Sequence, residues 1–399
     1  MMSKTKSTAG GKSPALAGLQ ALIQKHTKKV PVVGVTGTMP HIPTGVCQID
    51  TLIGGELTED KKGMICPGLP RGRLIEVFGA ESSGKTTLAL KFVSMVQKAG
   101  GSVLYLDYEH AIQNAYAKAV GVDLDNLLRY EPDTLEEGVK MIAAACVSKA
   151  DLVIVDSVAA MIPMAEIDRS PDEAAKVGAL ASALSRLLPK IVKYCAQSGT
   201  TVVFVNQTRS LISANSHSGE DNTSGGKALK FYASLRLKTT RIRSDFVEVK
   251  DTVTLKKKKQ PYGNLVQIKS VKNKIVGHQG HTAEIFIRYG FGVDEYLSLI
   301  ESAIPRKIIQ QNSSAYVYGT ETFKGKEKVR KFLIDNPKAY DEIRQKVVKS
   351  LLAEAPDASA AVDGEDISST FEDGLSDDDL FSGQESLTEE TIMAEVEQS

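Results

Sequence analysis

The sequence predicts an α/β fold in which helices cover both faces of a mostly parallel sheet. Short apolar runs alternate with helical segments between residues 74 and 206, the pattern of consecutive strand–helix–strand units. One of these runs leads directly into a glycine-rich stretch, residues 79–86, that opens a helix. No apolar run approaches the roughly 18 residues of a membrane span, and the polar N-terminus lacks the apolar region of a signal peptide. We therefore expect an α/β protein that does not contact a membrane.

Length and cysteine usage fit a cytoplasmic protein of several domains. The 399 residues suffice for two or three domains, and 42% hydrophobic with 25% charged residues are values of globular proteins. The four cysteines (Cys47, Cys66, Cys146 and Cys195) form no C-x-x-C pair, which argues against a zinc site or a disulfide framework. We expect a reducing, cytoplasmic location.

The net charge of zero conceals an asymmetry along the chain. Residues 357–399 contain 14 Asp/Glu and no Lys/Arg, so the preceding residues carry 49 Lys/Arg against 35 Asp/Glu. A body of net charge +14 suits a polyanion, and an acidic tail can compete with that polyanion. The alternative is a solvated body with a solubilising tail.

Residues 1–40 are predicted to form an N-terminal polymerisation arm. Residues 13–26 carry leucines at helical spacing, and residues 30–35 form a strand that Pro31 confines to a sheet edge. A helix and a lone strand ahead of the core can dock on another subunit, or they can form a packed appendage.

The core is predicted to span residues 41–299. The predicted strands are residues 74–78, 103–107, 127–130, 152–156 and 202–206, followed by 235–242, 265–271 and 283–289. The predicted helices are residues 86–96, 114–120, 135–146 and 173–196, the last of which Pro189 should kink or break.

Polar segments interrupt and follow this core. Residues 213–226 are rich in turn formers and predict a mobile loop, and the run Lys256–Lys257–Lys258–Lys259 predicts an exposed hairpin or loop. Residues 300–352 form a small α-rich module. Its residues Lys324, Lys326, Lys328 and Lys331 belong to the basic surface that a polyanion or the acidic tail can occupy. Residues 353–399 form that disordered acidic tail.

The glycine-rich stretch predicts a site for a nucleoside triphosphate. Its backbone N–H groups and the following helix N-terminus attract phosphate, Lys85 can reach the β- and γ-phosphates, and the Thr86 hydroxyl can ligate Mg²⁺. Asp156 ends an apolar strand, which suits a carboxylate that holds Mg²⁺ through water. The alternatives are a glycine turn that binds nothing and a strand end without function.

Two further strand ends carry candidate catalytic groups. The strand at 103–107 is followed by Glu109, which could polarise the attacking water, although Asp107 and His110 compete for that role and Asp107 could be a helix cap. Gln207 ends another strand directly before the mobile loop. It could sense the γ-phosphate and switch the loop, or it could be a capping amide.

Together these residues resemble the bacterial RecA recombinase family over residues 13–352. The stretches that carry the resemblance are 42–45 (IPTG), 79–87 (GAESSGKTT), 107–111 (DYEHA), 155–160 (VDSVAA), 204–207 (FVNQ), 225–234 (GGKALKFYAS) and 271–275 (VKNKI). The resemblance implies a P-loop NTPase core of RecA type, a helical homopolymer on single-stranded DNA with ATP at each subunit junction, and pairing of that strand with a homologous duplex.

The resemblance also implies roles for individual residues. Glu109 activates water, Gln207 couples ATP to the DNA loop that follows, and Lys272 and Lys274 reach ATP held by the neighbouring protomer. Lys85 acts both in binding and in catalysis, and Asp156 supports Mg²⁺. The implied ATP-binding residues are Gly79, Ala80, Glu81, Ser82, Ser83, Gly84, Lys85, Thr86, Thr87, Tyr116 and Asp156.

The sequence departs from the family pattern at three places. The first DNA loop, at about residues 168–177, is less glycine-rich than usual, and the second, at about 208–224, lacks the usual Phe. Gln113 replaces the acidic residue that helps to clamp adenine, so adenine selectivity could be looser. With the lysine-rich insertion, these departures suggest a divergent, phage-encoded member.

The function predicted from the sequence is therefore DNA-stimulated ATP hydrolysis coupled to homologous pairing, strand exchange and DNA repair. Two alternatives stay open at this point. One is a ring-forming helicase motor built on the same core, and the other is a regulatory ATP-binding filament that coats DNA without exchanging strands.

Overall fold

The computed structural model describes residues 39–54, 64, 66–167, 178–208, 223–250, 257–276 and 279–353. The predictions for the N-terminal arm before Met39, for residues 168–177, for residues 209–222 and for the acidic tail lie outside the described residues. Among the described residues, no helix combines the length and the apolar character needed to cross a membrane.

The described part of the chain alternates strands and helices. The strands are β1 (His41–Ile42), β2 (Leu69–Pro70), β3 (Leu74–Gly79), β4 (Val103–Asp107), β5 (Leu128–Tyr130), β6 (Leu152–Asp156), β7 (Thr201–Gln207), β8 (Leu235–Lys250), β9 (Lys257–Asn273), β10 (Thr282–Arg288), β11 (Gly292–Asp294), β12 (Gln310–Asn312), β13 (Ala315–Tyr318) and β14 (Glu321–Lys324). The helices are α1 (Cys47–Gly54), α2 (Lys85–Lys98), α3 (Asn114–Val120), α4 (Leu135–Val147), α5 (Met164–Ile167), α6 (Ala179–Ser198), α7 (Ala228–Tyr232), α8 (Glu295–Ala303), α9 (Lys326–Asp335) and α10 (Pro337–Ala353).

The central sheet has nine strands in the order β11-β10-β9-β8-β3-β7-β6-β4-β5. From β8 to β5 neighbouring strands are parallel, whereas β9, β10 and β11 are added antiparallel. The predicted mostly parallel α/β sheet is thus confirmed. Because the parallel strands share one direction, their carboxyl ends meet at a single edge of the sheet.

Apolar side chains cover both faces of this sheet, as the uninterrupted apolar runs require. Along β6, Leu152 and Ile154 pack into the cluster that α2 covers, and Val153 and Val155 pack into the cluster that α4 and α6 cover. All four side chains are 0% exposed. The alternation follows from the two-residue period of a strand.

Helix α6 runs without a break through Pro189, so of the predicted kink or break the break is wrong and the kink stays a prediction. The proline removes the N–H that would bond to the carbonyl of Ser185. Both Ser185 and Pro189 are exposed, so water can satisfy that carbonyl while Leu184, Leu187 and Leu188 stay buried on the opposite face.

The lysine run belongs to a long hairpin, which confirms that alternative for its described part. Strands β8 and β9 pair from Leu235↔Asn273 to Lys250↔Lys257. Lys256 lies outside the described residues.

The C-terminal module contains strands that the sequence did not reveal. Beside helices α9 and α10 it has an antiparallel sheet in the order β12-β13-β14. These strands have three or four residues, too few for an alternation to stand out in a sequence. The prediction of an α-rich module was therefore incomplete.

Candidate active site

The carboxyl ends of β3, β7, β6 and β4 bring the predicted site residues together. Gly79 lies opposite Gln207, and Asp107 lies opposite Asp156. These pairings place the glycine loop and three polar strand ends along one edge of the sheet. The sequence predicted that Asp107, Asp156 and Gln207 end strands of one parallel sheet.

The glycine loop has the conformation of a phosphate cradle. Gly84 has φ +90°, in the left-handed region, and a Cβ there would lie 2.3 Å from Ile287 Cδ1. A Cβ on Gly79 would lie 2.3 Å from the Thr239 carbonyl oxygen. Ser83 Oγ lies 2.6 Å from Thr239 Oγ1, which ties the loop to β8. The free N–H groups of the first turn of α2 stand behind this loop and can bind an anion.

The Lys85 side chain turns back into the glycine loop. Its Nζ donates to the Ala80 carbonyl at 2.8 Å, and the residue is 8% exposed. Burial lowers the pKa of Lys85, while Asp156, Glu109 and Glu81 oppose that change. A buried ammonium facing the loop is suited to a multiply charged anion, which would favour its charged form.

Thr86 and Asp156 form a pair that fits a hydrated Mg²⁺. Asp156 Oδ2 accepts from Thr86 Oγ1 and from the Tyr105 hydroxyl, each at 2.8 Å. Asp156 Oδ1 is buried without a hydrogen-bond partner, and burial raises the pKa of Asp156 to about 6. An unpartnered carboxylate oxygen beside a threonine hydroxyl is a donor set that Mg²⁺ accepts.

No cluster of three or more His, Cys, Asp or Glu that could hold a metal occurs in the part of the chain that the structure describes. A magnesium site here would thus draw its remaining ligands from phosphate and water, as Mg²⁺ commonly does.

Glu109 follows β4 at this edge and is exposed to solvent. Its Oε1 accepts a hydrogen bond from Gln207 Nε2 at 3.0 Å and a short one from Ser157 Oγ. Sequence reasoning missed Ser157, although its position directly after Asp156 was a usable signal.

The two competitors of Glu109 have other partners. Asp107 is 1% exposed, and its Oδ2 accepts from Arg129 Nη2 at 2.8 Å. Its oxygens also accept from the backbone N–H groups of residues 111 and 112, at 3.4 and 3.3 Å. His110 is bonded at 2.9 Å to Glu131. Asp107 is therefore occupied as an anchor of the loop after β4, which favours Glu109 as the group that meets water.

Gln207 is connected to both ends of the segment 209–222. The residues on either side of that segment, Thr208 and Thr223, form a β-bridge. Next to Gln207, Asn206 Nδ2 donates to the Ser224 carbonyl at 3.0 Å and to Glu76 Oε1 at 2.9 Å.

Glu76 in turn pairs with Arg236. Arg236 Nε lies 2.5 Å from Glu76 Oε2, and the Glu76 side chain is 0% exposed. The guanidinium carbon also lies 4.5 Å from the centre of the Phe78 ring. Sequence reasoning missed this buried network. Its signal in the sequence was Glu76, a charged residue inside the otherwise apolar strand β3.

Tyr116 also lies beside the loop. Its hydroxyl is 2.7 Å from Thr87 Oγ1, so helix α3 is held against the start of α2. Gln113 is the exposed residue that precedes α3, and its side chain makes no capping bond.

Lys272 and Lys274 do not join the glycine loop of their own chain. Lys272 lies opposite Arg236, three positions along β8 from Thr239, the residue that faces Gly79. Its Nζ donates to the carbonyls of Lys230 and Phe231 at 2.6 and 2.7 Å, and burial lowers its pKa to about 8. Lys274 is exposed.

The chain matches two family models. Residues 22–294 match the RecA N-terminal domain and residues 298–352 match the RecA C-terminal domain.

Curated relatives extend over most of the chain. Protein RecA of Acidothermus cellulolyticus is 40% identical over 324 residues, which cover 81% of this chain and 87% of the relative. Protein RecA of Frankia alni is 41% identical over 312 residues, covering 78% and 83%. Among solved structures, the RadB recombinase covers 63% of this chain and 98% of its own at 22% identity, with a TM-score of 0.44.

Proposed function

Because this chain belongs to the RecA family, we propose that it is a DNA-dependent ATPase that polymerises on single-stranded DNA and pairs that strand with a homologous duplex. The supporting observation is the hydrogen bond between Gln207 and Glu109. It joins a candidate catalytic carboxylate to a residue whose neighbours hold both ends of segment 209–222. A site connected in this way can link hydrolysis to a DNA-binding loop.

In this proposal the reaction is hydrolysis of the β–γ phosphoanhydride bond. Glu109 accepts a hydrogen bond from water and orients it toward the γ-phosphorus. The water oxygen bonds to that phosphorus as the bond to the bridging oxygen breaks, the electron pair of the broken bond stays on ADP, and a water proton passes to Glu109 before ADP and phosphate leave. Residues 79–87 hold the phosphates, and Lys85 stabilises charge on the β- and γ-phosphates. Mg²⁺ held by Thr86 and, through water, by Asp156 would neutralise further phosphate charge.

Lys272 and Lys274 act across the protomer junction in this proposal. Their distance along the sheet from the glycine loop of the same chain supports a role on nucleotide bound by a neighbour. To reach that nucleotide, Lys272 must leave the carbonyls of α7. Tyr116 would contact adenine beside the loop.

The proposal includes the organisation of the chain. Residues 1–40 dock on the next protomer, residues 41–299 hydrolyse ATP and hold single-stranded DNA, residues 300–352 bind duplex DNA, and residues 353–399 form the acidic tail. We also propose a cytoplasmic location, without a membrane partner.

The test is ATP hydrolysis with and without single-stranded DNA, combined with electron microscopy. We expect strong stimulation by single-stranded DNA and helical filaments that require ATP. Lys85→Ala should abolish both responses, whereas Lys98→Ala, at the exposed far end of the same helix, should change neither. Closed hexamers would instead support a helicase motor. Filaments that fail to pair homologous duplexes would support a regulatory coat.

A further inference from the structure

Strands β8 and β9 extend beyond the rest of the sheet as a free two-stranded ribbon. The last β9–β10 pair is Gly263↔Arg288. Beyond it, among the residues that the structure describes, β8 pairs only with β9, from Phe246↔Pro261 to Lys250↔Lys257. Five residues per strand at about 3.3 Å each give a projection of about 17 Å. We call residues 246–250 and 257–261 the ribbon arm.

The ribbon arm leaves the sheet at the edge that carries the candidate active site. Strand β8 runs parallel to β3, and Gly79 lies opposite Thr239. Strand β8 continues past Thr239 and beyond the edge where the glycine loop and Gln207 lie. The irregular pairing at Arg241/Arg243 and at Asp245/Phe246 bends and twists this extension. The ends of segment 209–222 lie at this edge as well.

The root of the ribbon arm is fixed to the C-terminal module. Asp245 accepts from Arg243 Nε at 2.9 Å and from Lys326 Nζ at 3.1 Å, and Arg243 Nη2 lies 2.9 Å from Glu301. Lys326 also forms a short ion pair with Glu301. A root held by α8 and α9 presents the ribbon in one orientation, which lowers the entropy cost of binding.

The surface of the ribbon arm combines positive charge with exposed apolar side chains. Residues 257–259 are three exposed lysines, and strand alternation places Lys258 on one face and Lys259 on the other. Glu248 lies 3.0 Å from Lys257, an exposed pair that holds little energy. Phe246 is 57% exposed and Val247 45% exposed.

This distribution favours a polyanion over a protein surface as the partner. A protein that covered either face would desolvate a lysine, whereas DNA places phosphates along both sides of an element in its groove. A major groove about 12 Å wide admits a two-stranded ribbon. An exposed Phe can make an apolar contact with the methyl group of thymine there.

We infer that the ribbon arm is a groove-binding element for duplex DNA, with Lys258 and Lys259 on the phosphates and Phe246 directed into the groove. This inference rests on the proposed function, in which a duplex pairs with the single strand held in the filament and the ribbon arm would bind that duplex. It assigns to the arm a duplex contact separate from that of residues 300–352.

The experiment compares the double variant Lys258→Ala/Lys259→Ala with the control Lys98→Ala/Lys118→Ala, which removes two exposed lysines from the ends of α2 and α3. Duplex affinity is measured by fluorescence anisotropy over a salt series with a non-hydrolysable ATP analogue. Two lost phosphate contacts should reduce the salt slope by about 1.8 and weaken binding at 0.1 M salt by up to about 60-fold, since each contact contributes a slope of about 0.9.

A tryptophan reporter tests where Phe246 lies. The chain contains no Trp, so Phe246→Trp provides a single emission signal that duplex DNA should shift or quench. Hydrolysis stimulated by single-stranded DNA should stay within twofold of wild type in all these variants. Absence of that stimulation in wild type would refute the proposed function, whatever the duplex titrations show.

Three results would overturn the ribbon-arm inference. The first is superposition of the duplex binding curves of the arm variant and the control. The second is tryptophan emission at position 246 that saturating duplex leaves unchanged. The third is a loss of affinity that disappears after residues 357–399 are removed, because the arm lysines would then be contacting the acidic tail.

Discussion

Replacing Glu109 by Gln separates the chemical step from nucleotide binding. The Gln oxygen can still accept from Gln207 Nε2 and Ser157 Oγ, the two donors that hold Glu109 Oε1, so the local geometry should persist. What is lost is the negative charge that polarises water. A general base contributes about 10²- to 10⁴-fold to rate, or roughly 3–5 kcal/mol of barrier. We expect hydrolysis to fall by about that factor while ATP affinity stays within threefold.

Two matched variants distinguish this loss from general damage. His110→Ala removes a side chain bonded only to exposed Glu131 among the contacts of the described residues, and turnover should change less than threefold. Asp107→Asn breaks a buried pair with Arg129. It should therefore lower the free energy of unfolding, by less than the about 3–5 kcal/mol of a fully buried pair, because Arg129 keeps Glu131 at 2.7 Å.

The assay is single-turnover hydrolysis on single-stranded DNA, together with nucleotide affinity and filament lifetime. Glu109→Gln filaments should persist on DNA because ATP at their junctions is not consumed. If Glu109→Gln hydrolyses ATP at the wild-type rate and folded Asp107→Asn or His110→Ala does not, the assignment of the water-activating group is wrong.

Three further predictions concern the junction, the Mg²⁺ pair and the tail. Mixing Lys272→Ala with Lys85→Ala subunits should restore hydrolysis at junctions with an intact loop and an intact lysine; a mixture no more active than its components would exclude action in trans. Burial raises the pKa of Asp156 from an ordinary value near 4 to about 6, so the folded state loses stability as pH rises through this interval. Without nucleotide, Asp156→Asn should therefore raise the free energy of unfolding, measured by denaturant titration, by about 3 kcal/mol at pH 7.5 and by little at pH 4. Removing residues 357–399, with their 14 acidic side chains, should strengthen duplex binding most at low salt and lower the Mg²⁺ needed for strand exchange; identical curves over a salt and Mg²⁺ series would make the tail a solubilising appendage.

The tail and duplex DNA are predicted to compete for one basic surface, and the structure removes one lysine from it. The sequence suggested four lysines of the C-terminal module: Lys324, Lys326, Lys328 and Lys331. Lys326 is paired with Asp245 and Glu301, and its side chain is only 15% exposed. It is therefore committed to the root of the ribbon arm, and the other three are exposed.

The sequence predicted the site residues that follow directly on apolar strands. It missed the contacts between residues that are distant in the chain. Residues 79–86 and the strand ends at Asp156 and Gln207 follow from the apolar runs before them. The Glu76–Arg236 pair joins residues 160 positions apart, and no local pattern reports such a contact. The continuous helix through Pro189 shows the same limit, because exposure of the orphaned carbonyl is a property of packing.

Hydrogen-bond satisfaction separates two structural carboxylates at this edge, Glu76 and Asp107, from Asp156, the candidate Mg²⁺ carboxylate. Glu76 has both oxygens paired, with Asn206 and with Arg236, and Asp107 accepts bonds at both of its oxygens. Asp156 keeps a buried oxygen without a partner, and its pKa is raised by burial. Such an oxygen destabilises the protein unless something binds it. A cation bound beside Thr86 would remove that cost, so nucleotide with Mg²⁺ should stabilise this edge of the sheet beyond the affinity of its phosphates alone.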